Sequence, residues 1–319
     1  MSSTARLPNF PISFFSMVMG LAGLCIAWEK AQLGFQLPTH VEQVLIPFTG
    51  SVFAILLFIY IMKLILHPSE VKKELNHPVK LNFFPAMSIS LILLSITMLH
   101  SQPQVSLILW IIGTILHLAF TLYVMNIWIH HDKFEIHHIN PAWFIPVVGN
   151  VLVPVAGTSH GYFEVSWFFF SVGIVFWLVL FTIIIYRVLF HNPLPEKLMP
   201  TFFILIAPPS VGFISYVKLT GGIDNFAHIL YYTGLFLTIL LATMAVRFSR
   251  IQFYLSWWAY SFPLAAITIA SLLMYEKSAM GGFALISSLL LSVLTIVVTF
   301  LFYRTLTVVW KHKICLPED

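Results

Sequence analysis

Trp257-Trp258-Ala259-Tyr260-Ser261-Phe262-Pro263 opens an apolar run over 257–275 that contains one proline and no charged residue. A run of that length crosses about 30 Å of hydrocarbon as a helix. A proline inside such a helix removes a backbone donor and frees a carbonyl, which is tolerable only where protein or water covers it. Working outward, the runs at 80–100, 142–157 and 200–218 repeat the pattern with Pro85, Pro146, Pro154, Pro208 and Pro209. The first run, 11–30, has Pro11 at its start and Gly20 and Gly23 inside. Glycines there suit either an interior path or close helix packing. Between these lie runs at 41–66, 104–127, 161–189, 223–246 and 280–311, rich in Leu, Ile and Val and holding only Pro47. The alternation separates helices that face an interior path from helices that face lipid.

Pro11, Pro85, Pro146, Pro208 and Pro263 recur roughly 55 to 75 residues apart, often after an aromatic residue, as in Phe10-Pro11, Phe84-Pro85 and Phe262-Pro263. A period of that size fits a two-helix unit used five times, although prolines are also common in membrane helices generally. The expected fold is all-α and polytopic. Ten transmembrane helices form five helical hairpins around a central pore, in a single domain over 1–319.

Composition excludes a soluble core. The chain is 59% apolar and 9% charged, against about 25% charged in soluble domains. Lys and Arg near span ends set orientation. Thirteen of them fall on the side of the N-terminus (Arg6, Lys63, Lys133, Arg304 and others) and three, Lys30, Lys218 and Lys277, on the other. Both termini are therefore expected in the cytoplasm. The charge of +4 describes loops beside anionic lipid, not a nucleic-acid surface. Cys25 and Cys315 imply no disulfide framework. Leu21-Ala22-Gly23-Leu24-Cys25 superficially resembles a lipoprotein signal, but the bulky Leu24 argues against cleavage and the first span reads as a retained helix.

Charges inside spans mark substrate sites, proton relays or voltage sensors. The proline-bearing spans have none in their interiors. A carboxylate carrier would be expected to bury an Arg fork, and a proton pump an acid. An apolar path suits weakly held ions, with hydroxyls such as Ser16, Ser88, Ser90, Ser210 and Ser261 favouring anions. His117 and Asn150 are the main polar mid-span groups, each readable as an interhelical hydrogen bond. The loop His130-His131-Asp132-Lys133-Phe134-Glu135-Ile136-His137-His138 contains paired imidazoles that suit zinc or copper, yet without helix spacing or cysteines they read as solvated residues. No metal or cofactor is expected, and no nucleophile with a neighbouring base suggests an enzyme.

Three segments carry a resemblance: Asn140-Pro141-Ala142-Trp143-Phe144-Ile145-Pro146-Val147-Val148-Gly149-Asn150, Leu205-Ile206-Ala207-Pro208-Pro209-Ser210-Val211, and Trp257 to Pro263. Together they resemble the tellurite-resistance/dicarboxylate transporter family, which holds TehA-like bacterial proteins, the slow anion channel of plant guard cells, and fungal malate and sulfite transporters. The resemblance implies five hairpins around a pore in each subunit of a homotrimer, passing small inorganic anions such as chloride and nitrate across the inner membrane. It makes Phe262 the occluding gate, with Ser16 and Val211 packing beside it. Gly20, Pro85, Pro146, Gly149, Asn150, Pro208 and Pro263 complete the expected lining. Ser16 replaces a glycine of the bacterial relative, and Val18 replaces a proline. The alternatives are a secondary carrier exporting C4-dicarboxylate or sulfite, and a membrane enzyme or metal sensor using the histidine loop.

Overall fold

The computed structural model describes residues 6–130 and 134–316. Its regular elements are all helical, with no strand among the described residues. In chain order they are α1 (Phe15–Phe35), α2 (Glu42–Leu66), α3 (Pro68–Asn76), α4 (Pro85–Thr97), α5 (Pro103–His130), α6 (Phe144–Val148), α7 (Val153–Gly157), α8 (Phe163–Phe190), α9 (Ala207–Thr220), α10 (Asn225–Ala242), α11 (Ala245–Ser249), α12 (Ser261–Ser278) and α13 (Gly281–Trp310). Among the described residues nine helical segments are long and apolar enough to cross a membrane, and Pro141–Gly157 is a shorter apolar one.

Burial divides these segments into two classes. Between 72% and 83% of an apolar 18-residue stretch is buried in Ile12–Phe35, Lys80–Thr97, Glu196–Thr220 and Leu255–Ser278. Only 22% to 33% is buried in α2, α5, α8, α10 and α13. The buried class is the proline-bearing one. Each of its four members, and the short segment Pro141–Gly157 with them, starts with a 3-10 turn before the α-helix: Ile12–Phe14, Lys80–Phe83, Pro141–Trp143, Glu196–Ile206 and Leu255–Tyr260. Pro85, Pro154 and Pro208 then sit at the first positions of their α segments, where a missing N–H leaves nothing unpaired and the fixed φ suits the helix.

The buried helices pack in sequence, α1 on α4, α4 on the α6–α7 segment, that segment on α9, α9 on α12, and α12 back on α1. Each exposed helix lies against its preceding buried helix and the next one: α2 on α1 and α4, α8 on α6–α7 and α9, α13 on α12 and α1. Arg6 Nη1 meets His312 Nδ1 at 2.6 Å, so the described ends of the chain share one face.

The segment Pro141–Gly157 is broken by a second 3-10 turn, Gly149–Leu152, between α6 and α7. Its seven 3-10 residues at 2.0 Å and ten α residues at 1.5 Å give a length of roughly 29 Å. Side chains bind the carbonyls along this irregular stretch. Thr121 Oγ1 lies 2.6 Å from the Pro146 carbonyl, Trp110 Nε1 donates to Val153 O at 2.9 Å, Ser215 donates to Val151 O, and Asn150 Nδ2 donates to Val147 O at 2.7 Å.

Thr121→Val keeps the shape and removes the hydroxyl that Pro146 O and Asn150 share. Leaving those buried groups unpaired should cost about 1–3 kcal/mol, read as a lowered thermal midpoint of the detergent-solubilised protein. Thr182→Val, at an exposed hydroxyl that bonds only its own helix, should leave the midpoint unchanged.

Candidate functional site

The seam between α1 and α12 brings the expected gate into contact with the first helix. A methyl group built on Gly23 comes within 2.7 Å of Ala265 Cβ and 3.5 Å of Phe262 Cδ2. One built on Gly20 comes within 2.7 Å of Ser261 Cβ. The two glycines, one turn apart, let the helices approach closely enough for the Phe262 ring to lie along α1. Phe262 is half-buried while Ser261 and Pro263 beside it are buried, and Ser16 is likewise half-buried between Phe15 and Met17. Val211 is buried in α9. Tyr260, two residues before Phe262, turns into an aromatic cluster with Phe203, Trp257 and Phe248, at ring separations of 4.7, 5.6 and 6.1 Å.

Pro85, Pro146, Pro208 and Pro263 are all buried in their helices. Three residues expected to line a pore pack against neighbouring helices. Gly20 faces α12, Gly149 lies against His117 and Ile89, and Asn150 donates to Thr121 Oγ1 at 3.1 Å. The reason is local: the 3-10 break in 141–157 sets Gly149 and Asn150 against α5, where the interhelical hydrogen bonds are. His117 does the same work, sharing a 2.9 Å bond with Ser88 Oγ.

The hydroxyls expected to favour anions are mostly committed to backbone. Ser88 donates to Pro85 O, Ser90 to Ala86 O, Ser210 to Ile206 O and Ser261 to Trp258 O, at 2.6 to 2.8 Å, and all four are buried. Hydroxyls in the middle of apolar helices satisfy themselves on the preceding turn when no water reaches them. Ser16 alone of the five stays half-exposed.

Reading spans as apolar runs missed a buried ion pair at the face holding the termini. Lys63 Nζ of α2 lies 2.7 Å from Glu74 Oε2 of α3, with side chains 1% and 8% exposed. Tyr60 donates to the same oxygen at 3.0 Å, the Ile12 N–H donates to Glu74 Oε1 at 3.3 Å, and Lys63 also donates to Phe10 O at 2.8 Å. The pair thus holds the backbone on both sides of Pro11, where the first buried helix begins. The available signal was Glu74 on the apolar side of a short amphipathic helix, beside Val71.

Of the histidine loop, residues 131–133, including the expected cytoplasmic Lys133, lie outside the described residues. In the remainder His138 Nδ1 accepts from the Glu135 N–H at 3.1 Å, and His137 Nδ1 lies 3.2 Å from Glu135 Oε2. Burial and the neighbouring His137 hold His138 below the usual histidine range. No group of three metal-ligating side chains occurs among the described residues.

A family model described as "SLAC1: Voltage-dependent anion channel" matches residues 9–306. The chain belongs to this family. Its relatives include the S-type anion channel SLAH3 of Arabidopsis thaliana, 31% identical over 276 residues, which cover 83% of this chain and 43% of the relative. The guard cell S-type anion channel SLAC1 of the same plant is 27% identical across 98% of this chain and 58% of its own length. The tellurite resistance protein TehA homolog of Haemophilus influenzae is 26% identical across 88% and 86%. The chain spans about half the length of the plant relatives it matches. These relatives are named as channels or by resistance, none as an enzyme.

Glu74→Leu would strand the Lys63 ammonium, with an expected loss of about 3–5 kcal/mol seen in chemical or thermal unfolding. Adding Lys63→Met should recover most of it, because an apolar pair of similar volume removes the uncompensated charge.

Proposed function

We propose that this chain is a gated channel for small monovalent anions, chloride and nitrate among them, in the cell (inner) membrane. The observation that carries the reading is the buried helix class itself. Five proline-bearing segments pack in a closed order, their charged side chains fall in the first or last two turns and none in the middle, and a phenylalanine stands half-exposed at the α1–α12 seam. A path without fixed charge binds ions weakly, so they enter and leave quickly, and its selectivity rests on dipoles and on charge at its mouths.

We read the architecture as ten spans in five hairpins around a central pore. Two observations support this count. Ends that meet on one face need an even number of crossings, and Arg6 meets His312. The Pro141–Gly157 segment, at roughly 29 Å, matches the thickness of the hydrocarbon core. The excess of Lys and Arg on the face of the termini favours the cytoplasm for both. The assembly implied by the family resemblance is a homotrimer in the lipid bilayer, each subunit conducting by itself. Phe262 is the gate in this reading. Ser16 and Val211 pack beside it, and Pro85, Pro146, Pro208 and Pro263 shape the inner helices.

Planar-bilayer recordings of the purified protein test the class. Reversal potentials that follow chloride or nitrate gradients support an anion channel, and reversal that follows potassium overturns it. Tightly saturating exchange without single-channel events would mark a carrier of dicarboxylate or sulfite instead.

Phe262→Ala should raise anion conductance at least about tenfold, equivalent to ~1.4 kcal/mol of barrier, with relative chloride and nitrate permeability nearly unchanged. Tyr260→Ala, which opens a hole in a packed aromatic cluster, should lower stability without that gain. Equal currents from wild type and Phe262→Ala at matched protein yield would remove Phe262 as the gate.

A further inference from the structure

A groove opens where the start of α10, the end of α12 and the start of α13 meet, on the face opposite the termini. Lys277 and Ser278 stand at its rim, Met274 and Phe283 form its floor, and its volume is 380 Å³. At His228 and Tyr232 it continues into a shallower stretch of 470 Å³, which runs along α10 past Ile229 and Phe236. Those two side chains are each 62% exposed, open to the hydrocarbon that surrounds an outer helix. His228 and Phe236 lie eight residues apart, about 12 Å of helix, so the groove leads from the helix ends into the bilayer. Its walls are held in place. Tyr231 shares a 3.1 Å hydrogen bond with Ser271 of α12, and its ring meets that of Phe283 at 5.6 Å. His228 Nδ1 donates to the Asp224 carbonyl at 2.8 Å, and its ring lies nearly parallel to that of Tyr232.

The lining carries one fixed charge. Lys277 Nζ reaches only the Gly221 carbonyl, at 3.5 Å, and makes no ion pair among the described residues. The neighbouring carboxylates are engaged elsewhere and do not line the groove. Glu276 holds Lys30, and Asp224 accepts from Tyr216 at 2.6 Å and from the Ala227 N–H at 3.0 Å. No side chain caps the start of α13 beside Met280, so its first N–H groups lack acceptors and add the positive end of a long helix. The groove therefore offers one ammonium and hydrogen-bond donors at the rim, and an apolar track below it. An amphiphile with a single negative charge matches that order, and lipid already faces this helix. We propose that the groove binds a phospholipid, its phosphate diester at Lys277 and the Tyr232 hydroxyl, and one acyl chain along Ile229 and Phe236. Since no carboxylate in the lining can take up an ammonium, phosphatidylglycerol is favoured over zwitterionic phosphatidylcholine. The inference needs only the placement of the helices in the bilayer and is independent of the anion-channel reading.

Native mass spectrometry tests it on the full-length protein, delipidated in detergent and given equal amounts of dioleoyl phosphatidylglycerol and dioleoyl phosphatidylcholine. Wild type should retain phosphatidylglycerol in preference. Lys277→Gln should lower the retained ratio of the two lipids about fivefold, the effect of one lysine at a membrane surface. Phe236→Ala should weaken retention of both lipids alike and leave the ratio as it is, because it shortens the track of the chain and not the seat of the head. Both side chains are exposed, and an unchanged gel-filtration profile reports an intact fold. A wild type without preference, or an unchanged ratio in Lys277→Gln, would overturn the site. Displacement of the bound lipid by millimolar inorganic phosphate would make the free ion the ligand and overturn the lipid. A disulfide formed between copies of Ile229→Cys in membranes would show that a second copy fills the groove, which would overturn it as well.

Discussion

A membrane interior offers no water to a backbone carbonyl, and in this protein that constraint bears hardest on the segment Pro141–Gly157. Two prolines and a 3-10 turn interrupt it, so its carbonyls turn to side chains. Thr121 and Trp110 come from α5, Ser215 from α9 and Asn150 from the segment itself. Each such bond is worth little in water, but the unpaired alternative in hydrocarbon costs several kcal/mol per group. The broken segment therefore persists only inside a shell of intact helices. That dependence explains why the regular, Leu-rich helices take the outside and the irregular, proline-bearing ones the inside.

The ion pair Lys63–Glu74 solves a second problem at the face of the termini. Two buried charges gain less from each other than they lose in hydration unless further hydrogen bonds complete them. Tyr60, the Ile12 N–H and the Phe10 carbonyl supply those bonds. The result ties α2 and α3 to the backbone that leads into α1. Since α1 carries Gly20 and Gly23, the same helix is fixed at its start by charge and along its length by contact with α12. A firmly seated α1 gives the Phe262 ring a defined surface to rest on.

Charge is thus kept to the two ends of the inner helices, and their interiors are left to dipoles and apolar contact. Buried serines in those helices answer carbonyls of the preceding turn, which takes them out of play as ligands. Such an interior offers little that would hold a charged solute. Membership in a family described as anion channels accords with an interior of this kind.

The sequence alone settled the division into apolar spans, the alternation of proline-bearing and proline-poor helices, and the family. Those depend on composition and on proline's missing donor, which act locally. It also pointed to Phe262 through the Tyr260-Ser261-Phe262-Pro263 segment. It read Asn150 as an interhelical hydrogen bond, which the bond to Thr121 bears out, but it did not show which helix Gly149 and Asn150 would meet, because the side to which a residue turns depends on where a 3-10 break changes the helical phase. It gave serines to the pore that their own helices use, and it left Glu74 unread, because its partner Lys63 lies across a bend at His67-Pro68. Only packing brings Gly23 against Phe262, Arg6 beside His312, and Glu276 from the ninth apolar run onto Lys30 of the first. Contacts across hundreds of residues are decided by which surfaces fit, and a linear pattern of hydropathy carries no record of that fit.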